Sequence, residues 1–304
     1  MPDTENSAKV QLLNPLDLSE FVFKTSIPEP LRLGFYEKFH ITKVEAYKNF
    51  LKLPSEPNKR TVHIFMFLTK GKAIRRKGLV SYEVLSDNFF FLPAYEIATV
   101  EYISPDAEGF YCHFSPNIFN HLLIKHKSIT DFPFFHISGN PLVEVNDTKR
   151  FKQLLQILES ECEKNVAERF DLIALYLYTL LTEISFQVAP VQIQNKKSAG
   201  FLTQRYIKTL SESIYENKKV SDYADDLSVT PNHLNKCVKT VTGKSAHQLL
   251  DEMKILEAKV LLLQTSLSIS EIANKIGKYE SSDFSRFFKS KTNKTPLQYR
   301  QNKA

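Results

Sequence analysis

The chain has 304 residues, 42% hydrophobic and 24% charged, a composition that suits a globular protein of about two domains and argues against a disordered or fibrous one. Glycine is scarce, at eight residues, and neither G-x-G-x-x-G nor G-x-x-x-x-G-K-[ST] occurs, which disfavours phosphate-loop nucleotide chemistry. The net charge of +6 is unevenly spread: residues 1–195 carry 21 Lys and Arg against 23 Asp and Glu (−2), and residues 196–304 carry 19 against 11 (+8), which points to an anionic partner, nucleic acid ahead of a membrane surface.

The N-terminus, MPDTENSAKV, lacks the basic start and apolar core of a signal peptide. The longest apolar run, Leu172 to Leu181, is ten residues, half of the roughly 20 that span a bilayer. Cys112, Cys162 and Cys237 have no C-x-x-C spacing, so neither a disulfide framework nor a cysteine-rich zinc site is expected. A cytoplasmic protein without a membrane span is the expectation.

From Phe35 to about Ser115, short runs of β-branched and aromatic residues alternate with turn chemistry. Strands are expected at Glu37–Tyr47, Val62–Thr69, Val80–Leu85, Asn88–Leu92, Thr99–Ile103 and Gly109–Phe114. In Val62–Leu68 both alternating faces are apolar, which marks a strand covered on both sides. The close spacing suggests a small barrel or sandwich. Arg75-Arg76-Lys77, beside Gly78, reads as a solvated turn, with capture of an anionic effector as the other reading.

A helical period follows. Phe151, Leu154, Leu155, Leu158 and Cys162 form one apolar face, with Asn146 or Asp147 as the N-cap. Asp171–Gln187 is apolar on nearly every side, so it is either a core helix or, with Phe151–Cys162, an interface between two copies of the chain. Residues 189–200 have no sustained period and read as a linker.

The basic third contains a repeat. Val220-Ser221-x-Tyr223-Ala224-x-x-Leu227 aligns with Ile269-Ser270-x-Ile272-Ala273-x-x-Ile276, with Ser221 and Ser270 where N-caps are expected. One inserted residue later, Leu234, Cys237, Val238, Lys239 and Gly243 face Phe284, Phe287, Phe288, Lys289 and Asn293, and Ser245-Ala246 faces Thr295-Pro296. Two helix–turn–helix units are the economical explanation. Thr230-Pro231 predicts a cap with proline at the first helical position. Between the units, Leu249, Met253, Leu256, Val260 and Leu263 predict one amphipathic helix over Ala246–Leu263, roughly 27 Å long.

The second helix of each unit leaves a polar face: Asn232, His233, Asn235, Lys236 and Lys239 in the first, Ser281, Ser282, Asp283, Ser285, Arg286 and Lys289 in the second. Such faces supply the donors and acceptors that major-groove reading needs. Arg286 reads as a base contact, a phosphate contact or a solvated residue; Lys236 and Lys239 read as phosphate contacts ahead of base readers. Asp283 either accepts from a cytosine amine or complements the helix dipole.

Ser245-x-x-x-Leu249-x-x-x-x-Lys254-x-x-x-Ala258-x-x-Leu261-Leu262, then Ile269-Ser270-Glu271-Ile272-Ala273-x-x-Ile276-Gly277, Phe284-Ser285-Arg286-Phe287-Phe288-Lys289 and Thr295-Pro296-x-x-Tyr299-Arg300, closely resemble the AraC/XylS family of bacterial transcription regulators. The family usually has Arg at Lys254, Phe at Lys278 and Gly at Asn293; Tyr279 is the expected substitute for the lost Phe. The resemblance implies base-reading positions at Asn232, Asn235 and Lys236 and at Ser281, Ser282, Asp283 and Arg286; Lys239 and Lys289, from the polar faces, complete the expected DNA-binding set. Phe65-x-x-x-Thr69-x-Gly71, Tyr82-Glu83 through Leu92-Pro93, and Phe110-x-x-His113-Phe114 more weakly resemble the family's cupin-like sensor.

The expected fold is α+β: an N-terminal cupin-like β-barrel with a helical dimerisation segment (1–188), a linker (189–200), and an all-α domain (201–304) with two helix–turn–helix units joined by a long helix. The resemblance implies a transcription regulator whose partners are double-stranded DNA, a small-molecule effector, RNA polymerase and a second copy of the chain through Phe151–Cys162 and Asp171–Gln187, with no membrane partner. Phe65, Phe67, Tyr82, Phe91, Tyr111 and His113 are candidate effector-pocket residues, each with a plain core role as the alternative. His63, His113, His121, His126 and His136 lack an H-x-H pair with a following Glu, so no metal, cofactor or catalytic residue is expected. The competing readings are a cupin-type barrel enzyme with an accessory DNA-binding domain, and an effector-independent regulator controlled by a protein partner.

Overall fold

The computed structural model describes residues 14–15, 22–24, 36–120, 122, 129, 132–135, 139–164, 166–188, 198–278 and 280–301. The chain divides into two compact units between Gln192 and Ile193. Of the expected linker, residues 189–197 lie outside the described residues, as do His121, His126 and His136.

The N-terminal unit contains β1 (Phe39–Lys43), α1 (Val44–Tyr47), β2 (Asn58–Lys59), β3 (His63–Lys70), β4 (Ala73–Lys77), β5 (Val80–Val84), β6 (Asn88–Leu92), β7 (Ile97–Ile103), β8 (Glu108–Phe114), β9 (Leu142–Glu144), α2 (Thr148–Cys162) and α3 (Val166–Gln187). The strands form two antiparallel sheets, in the orders β1-β8-β3-β6-β9 and β2-β7-β4-β5, rather than one continuous ring.

β3 is covered on both faces, as its two apolar alternations require: His63 to Leu68 are all buried. Phe65 and Phe67 join Phe89, Phe91, Cys112 and Phe114 in a core shared with Phe151, Leu155 and Leu158 of α2 and Leu177, Leu181 and Ile184 of α3. Ile64, Met66 and Leu68 point to the opposite face. Asp147 caps α2, accepting a hydrogen bond from the Arg150 amide at 3.1 Å. Gly109, at φ +147°, is needed for the close pairing of β8 with β3, because a Cβ there would lie 2.0 Å from the Phe67 carbonyl oxygen.

Two strand expectations change. Glu37–Tyr47 is not one strand: its pairing with β8 ends at Lys43, and the Gly109 amide then donates to the Glu45 carboxylate at 3.2 Å, so the chain coils into α1. Arg75-Arg76-Lys77 is not a solvated turn. The turns fall at Gly71 and Gly78, both at positive φ, and Ala73–Lys77 between them pairs with β5 and β7. Arg75 faces inward, 1% exposed.

The second unit is helical: α4 (Ala199–Ser213), α5 (Val220–Asp226), α6 (Pro231–Thr242), α7 (Ala246–Gln264), α8 (Ile269–Lys275), α9 (Ser281–Thr292) and α10 (Pro296–Gln301). α4 opens inside the expected linker range, capped by Ser198, which accepts from the Phe201 amide at 3.1 Å. Ser221 and Ser270 lie inside their helices rather than at the caps. The chain enters α5 through Lys219, whose amide donates to Asp222 at 2.7 Å, and α8 through Ser268, which exchanges hydrogen bonds with Glu271 at 2.7 and 3.2 Å. α7 buries Leu250, Ile255, Ala258, Leu261 and Leu262 besides the predicted Leu249, Met253, Val260 and Leu263, because helices from both helix–turn–helix repeats of this same unit pack around it; the predicted Leu256 is only half-buried.

Candidate nucleic-acid interface

The two helix–turn–helix units share one construction. Ala224 and Ala273, both fully buried, sit in the middle of α5 and α8, where a larger side chain would hold off the following helix. The turns pass through Ser228 at φ +57° and Gly277 at φ +73°. α6 starts at Pro231 with Thr230 accepting from the His233 amide at 3.2 Å. α6 and α9 both end in a left-handed residue, Gly243 or Asn293, whose amide donates to Lys239 at 2.9 Å or Lys289 at 2.8 Å. Each exit is followed by a reciprocal cap, Ser245 with Gln248 and Thr295 with Gln298.

Thr230 caps α6 whereas Glu280 gives α9 no side-chain cap, but the shared turns and exits leave equivalent surfaces open. Leu234, Cys237 and Val238 of α6, and Phe284 and Phe288 of α9, turn inward. Asn232, Lys236 and Lys239 are exposed on α6, and Ser281, Ser282, Asp283, Arg286 and Lys289 on α9. Asn235 is half-buried, and its Oδ1 accepts from the Ala246 amide at 3.0 Å, so part of its hydrogen-bonding capacity is spent inside the domain. Arg286 donates to Asp283 one turn earlier. Lys236, Lys239 and Lys289 have no carboxylate partner among the described residues, whereas Lys244 and Lys291 pair with Glu252 and Asp251 of α7. These exposed cations and amides can contact phosphates and base edges.

Residues 223–302 match a family model described as a helix-turn-helix domain. This C-terminal stretch is a helix-turn-helix domain of the AraC type. The chain is 26% identical over 156 residues to the Msm operon regulatory protein of Streptococcus mutans, covering 50% of this chain and 55% of that protein. It is 28% identical over 153 residues to the lactose operon transcription activator of Staphylococcus xylosus, covering 48% and 52% respectively. The chain thus spans about half the length of these curated relatives. Among solved structures it is similar to the C-terminal domain of AraT, a response regulator from Geobacillus stearothermophilus, at 30% identity, 33% coverage of this chain, 84% of that one and a TM-score of 0.32.

The AraC-type domain accommodates its departures locally. Asn293 takes the left-handed conformation that the usual glycine would, at φ +60°. Lys278 lies over the Phe287 ring, Nζ 4.7 Å from the centroid, so its stem and charge cover the ring; Tyr279 falls outside the described residues. Burial, and then the charge of Lys278, hold the Lys254 amine below its ordinary value. Arg300 closes the domain, donating to the carbonyls of Leu262 at 3.2 Å and Leu267 at 2.6 Å.

The six candidate pocket residues of the N-terminal unit lie on two faces. Phe65, Phe67 and Phe91 belong to the core beneath α2 and α3. Tyr111 and His113 lie on the opposite face of their sheet, and Tyr82 approaches Phe90 at 5.8 Å from the facing sheet. Arg75, for which capture of an anionic effector was the alternative to a solvated turn, and Arg60, which the sequence reading did not single out, are buried on this second face. The missed signal was the alternation in β4, which puts Ala73, Arg75 and Lys77 on one side. His63 belongs to neither set: its Nδ1 accepts from the Ala94 amide at 3.1 Å and its ring stacks on Phe114. No described helix is long and apolar enough to cross a membrane.

Proposed function

We propose that the protein is a sequence-specific transcription regulator, cytoplasmic and non-enzymatic, that binds double-stranded DNA through α6 and α9 and takes a small effector in its N-terminal unit. The observation that carries this reading is the duplicated helix–turn–helix frame, with a buried alanine before and a left-handed exit after each outward helix, which leaves Asn232, Lys236 and Lys239 on one helix, and Ser281, Ser282, Asp283, Arg286 and Lys289 on the other, turned outward. The 19-residue α7 between them, about 28 Å long, is of the order of one B-DNA turn. Its rigidity suits presentation of the two helices to successive major grooves.

Similarity to an operon regulatory protein and to an operon transcription activator supports control of an operon by activation, and hence contact with RNA polymerase. Ile157 of α2 and Leu175 and Phe186 of α3 stay exposed, Phe186 at 76%, although the other face of each helix is buried. That outer surface suits a second copy of the chain. An effector would then shift a population between DNA-competent and incompetent arrangements.

Selection of DNA bound by the full chain from a random pool, with and without cell metabolites, tests the reading. A two-part site whose enrichment depends on Arg286 and Lys236 is expected. Recovery of random sequence under both conditions would overturn it.

A further inference from the structure

Arg75 carries a fully buried guanidinium whose Nε, Nη1 and Nη2 all lack a hydrogen-bond partner among the described residues. Register fixes its direction: it stands opposite Tyr82 on β5 and Val100 on β7 and points across to the facing sheet, where its Cζ lies 5.4 Å from the Phe90 ring centroid. Met66, between the partner strands, is paired with both Phe90 and Tyr111. Arg60, 2% exposed, reaches the same face and donates from Nε to Asn58 Oδ1 at 2.7 Å and from Nη1 to the Tyr111 hydroxyl at 3.3 Å. Tyr111 stacks on Tyr47 with centroids 4.3 Å apart and planes 7° from parallel.

Two buried cations face each other's field here, and burial, then the charge of Arg60, bring Arg75 down only to about 10, so it stays charged near neutrality. The described carboxylates that are buried lie elsewhere: Glu161 is bonded to Lys164 and Arg169, and Glu257 to Tyr215 in the other unit. An ion buried without a countercharge costs several kcal/mol, and a guanidinium presents five donors in a planar fork matched to a carboxylate. Aromatic faces on either side suit an apolar body rather than a second charged group.

We infer that the buried region around these two arginines, between the two sheets, is an anion-binding site, in which Arg75 and Arg60 hold the carboxylate of a small organic acid whose body lies against Phe90, Tyr47 and Tyr111. This names the ligand class for the effector part of the proposed function. It does not depend on DNA binding.

The test is thermal melting of the full chain in chloride buffer with benzoate or hexanoate at millimolar concentration, and with sulfate as an inorganic oxyanion. Either carboxylate is expected to raise the wild-type Tm by at least about 2 °C, as saturation well above Kd requires. Arg75→Met is expected to melt no lower than wild type without ligand and to lose the rise. Arg75→Lys, which keeps the charge but not the fork, is expected to weaken binding at least tenfold and decides the matter should Arg75→Met not fold.

No rise with either carboxylate in the wild type, an equal rise in the variants, or a rise with sulfate matching that with the carboxylates would overturn the inference. So would a large drop in the ligand-free Tm of Arg75→Lys, which would mean that the chain itself satisfies the guanidinium. Mobility shift with selected DNA on the same samples reads the DNA-binding proposal separately.

Discussion

Asn235 and Ala246 are joined across the turn between α6 and α7, the Ala246 amide donating to Asn235 Oδ1 at 3.0 Å. In the second unit the equivalent residues are Ser285 and Pro296, and a proline has no amide proton to give. The donor is therefore absent there, and the longer amide side chain that would reach it is replaced by a short hydroxyl. The first unit's outward helix is tied directly to the connector by this bond.

Asn235→Ala should consequently lower stability by about 0.5–1.5 kcal/mol, the usual worth of such a bond. Asn235→Asp keeps an acceptor and should stay close to wild type in stability while weakening DNA binding through its charge. Ser285→Ala should be neutral within about 0.5 kcal/mol. Urea unfolding separates the three, and a neutral Asn235→Ala would remove the assignment of Asn235 to the fold.

Arg286 is held by Asp283 in the free protein, but both side chains are largely exposed, 79% and 56%. An exposed pair contributes about 0–1 kcal/mol. Arg286→Ala should leave unfolding nearly unchanged, cost about 1–3 kcal/mol on the specific site and relax its sequence preference. Lys289→Ala should weaken binding to all sequences alike and reduce the salt slope by about one. Equal loss on specific and random DNA for Arg286→Ala would reassign it to phosphate contact.

Ser228 and Gly277 occupy equivalent turns at φ +57° and +73°. A side chain is tolerated at the first, whereas a Cβ at the second would meet the Asn217 side chain at 2.6 Å. Ser228→Gly should stabilise the domain by up to about 1 kcal/mol, from relief of the left-handed strain. Gly277→Ala should destabilise it by more than about 1 kcal/mol, strain and crowding acting together. Calorimetric Tm values would show it; the reverse order for the pair would contradict the turn geometry.

Burial lowers His63 and His113 to about 4, and burial, then the charge of His113, lower His40. The His113 ring packs against Tyr36, His40 and Tyr111, with Nε2 donating to the Tyr36 carbonyl at 2.6 Å. These groups are neutral in the fold and take protons on unfolding below the usual histidine value. Their contribution is fully present above about pH 6.5 and is lost as pH falls towards 4, each adding up to about 1.4 kcal/mol per pH unit. Unfolding midpoints at pH 7.5, 6 and 5 should fall accordingly. His63→Asn should flatten that fall, whatever it does to stability at pH 7.5; an unchanged slope would mean that His63 is protonated in the fold.

The duplicated units were legible in the linear chain because their devices are local. Thr230 with Pro231, Ser245 with Gln248, the buried alanines and the left-handed exits at Gly243 and Asn293 each act within about one helical turn. The precise caps of α5 and α8 were less legible, since Lys219 carries no side-chain acceptor and the carboxylate of Asp222 supplies the cap instead. β3 announced its double burial through two apolar alternations.

Arg75 shows where that legibility stops. A run of Arg-Arg-Lys beside a glycine has the composition of a solvated turn, and the period-two alternation says only that Arg75 and Arg76 point opposite ways. Which of them enters the interior depends on pairing with Tyr82 and Val100, residues supplied by two other strands. The same holds for the candidate pocket, where Phe65 and Phe91 separate from Tyr111 because neighbouring strands share one pleat. By itself, then, the sequence determined the two helix–turn–helix repeats and the charge on them, all encoded in contacts between near neighbours. Only the tertiary structure decided that Arg60 and Arg75 lie buried together, because strand register is a long-range choice that turns a charged side chain inward or outward as a unit with its whole strand.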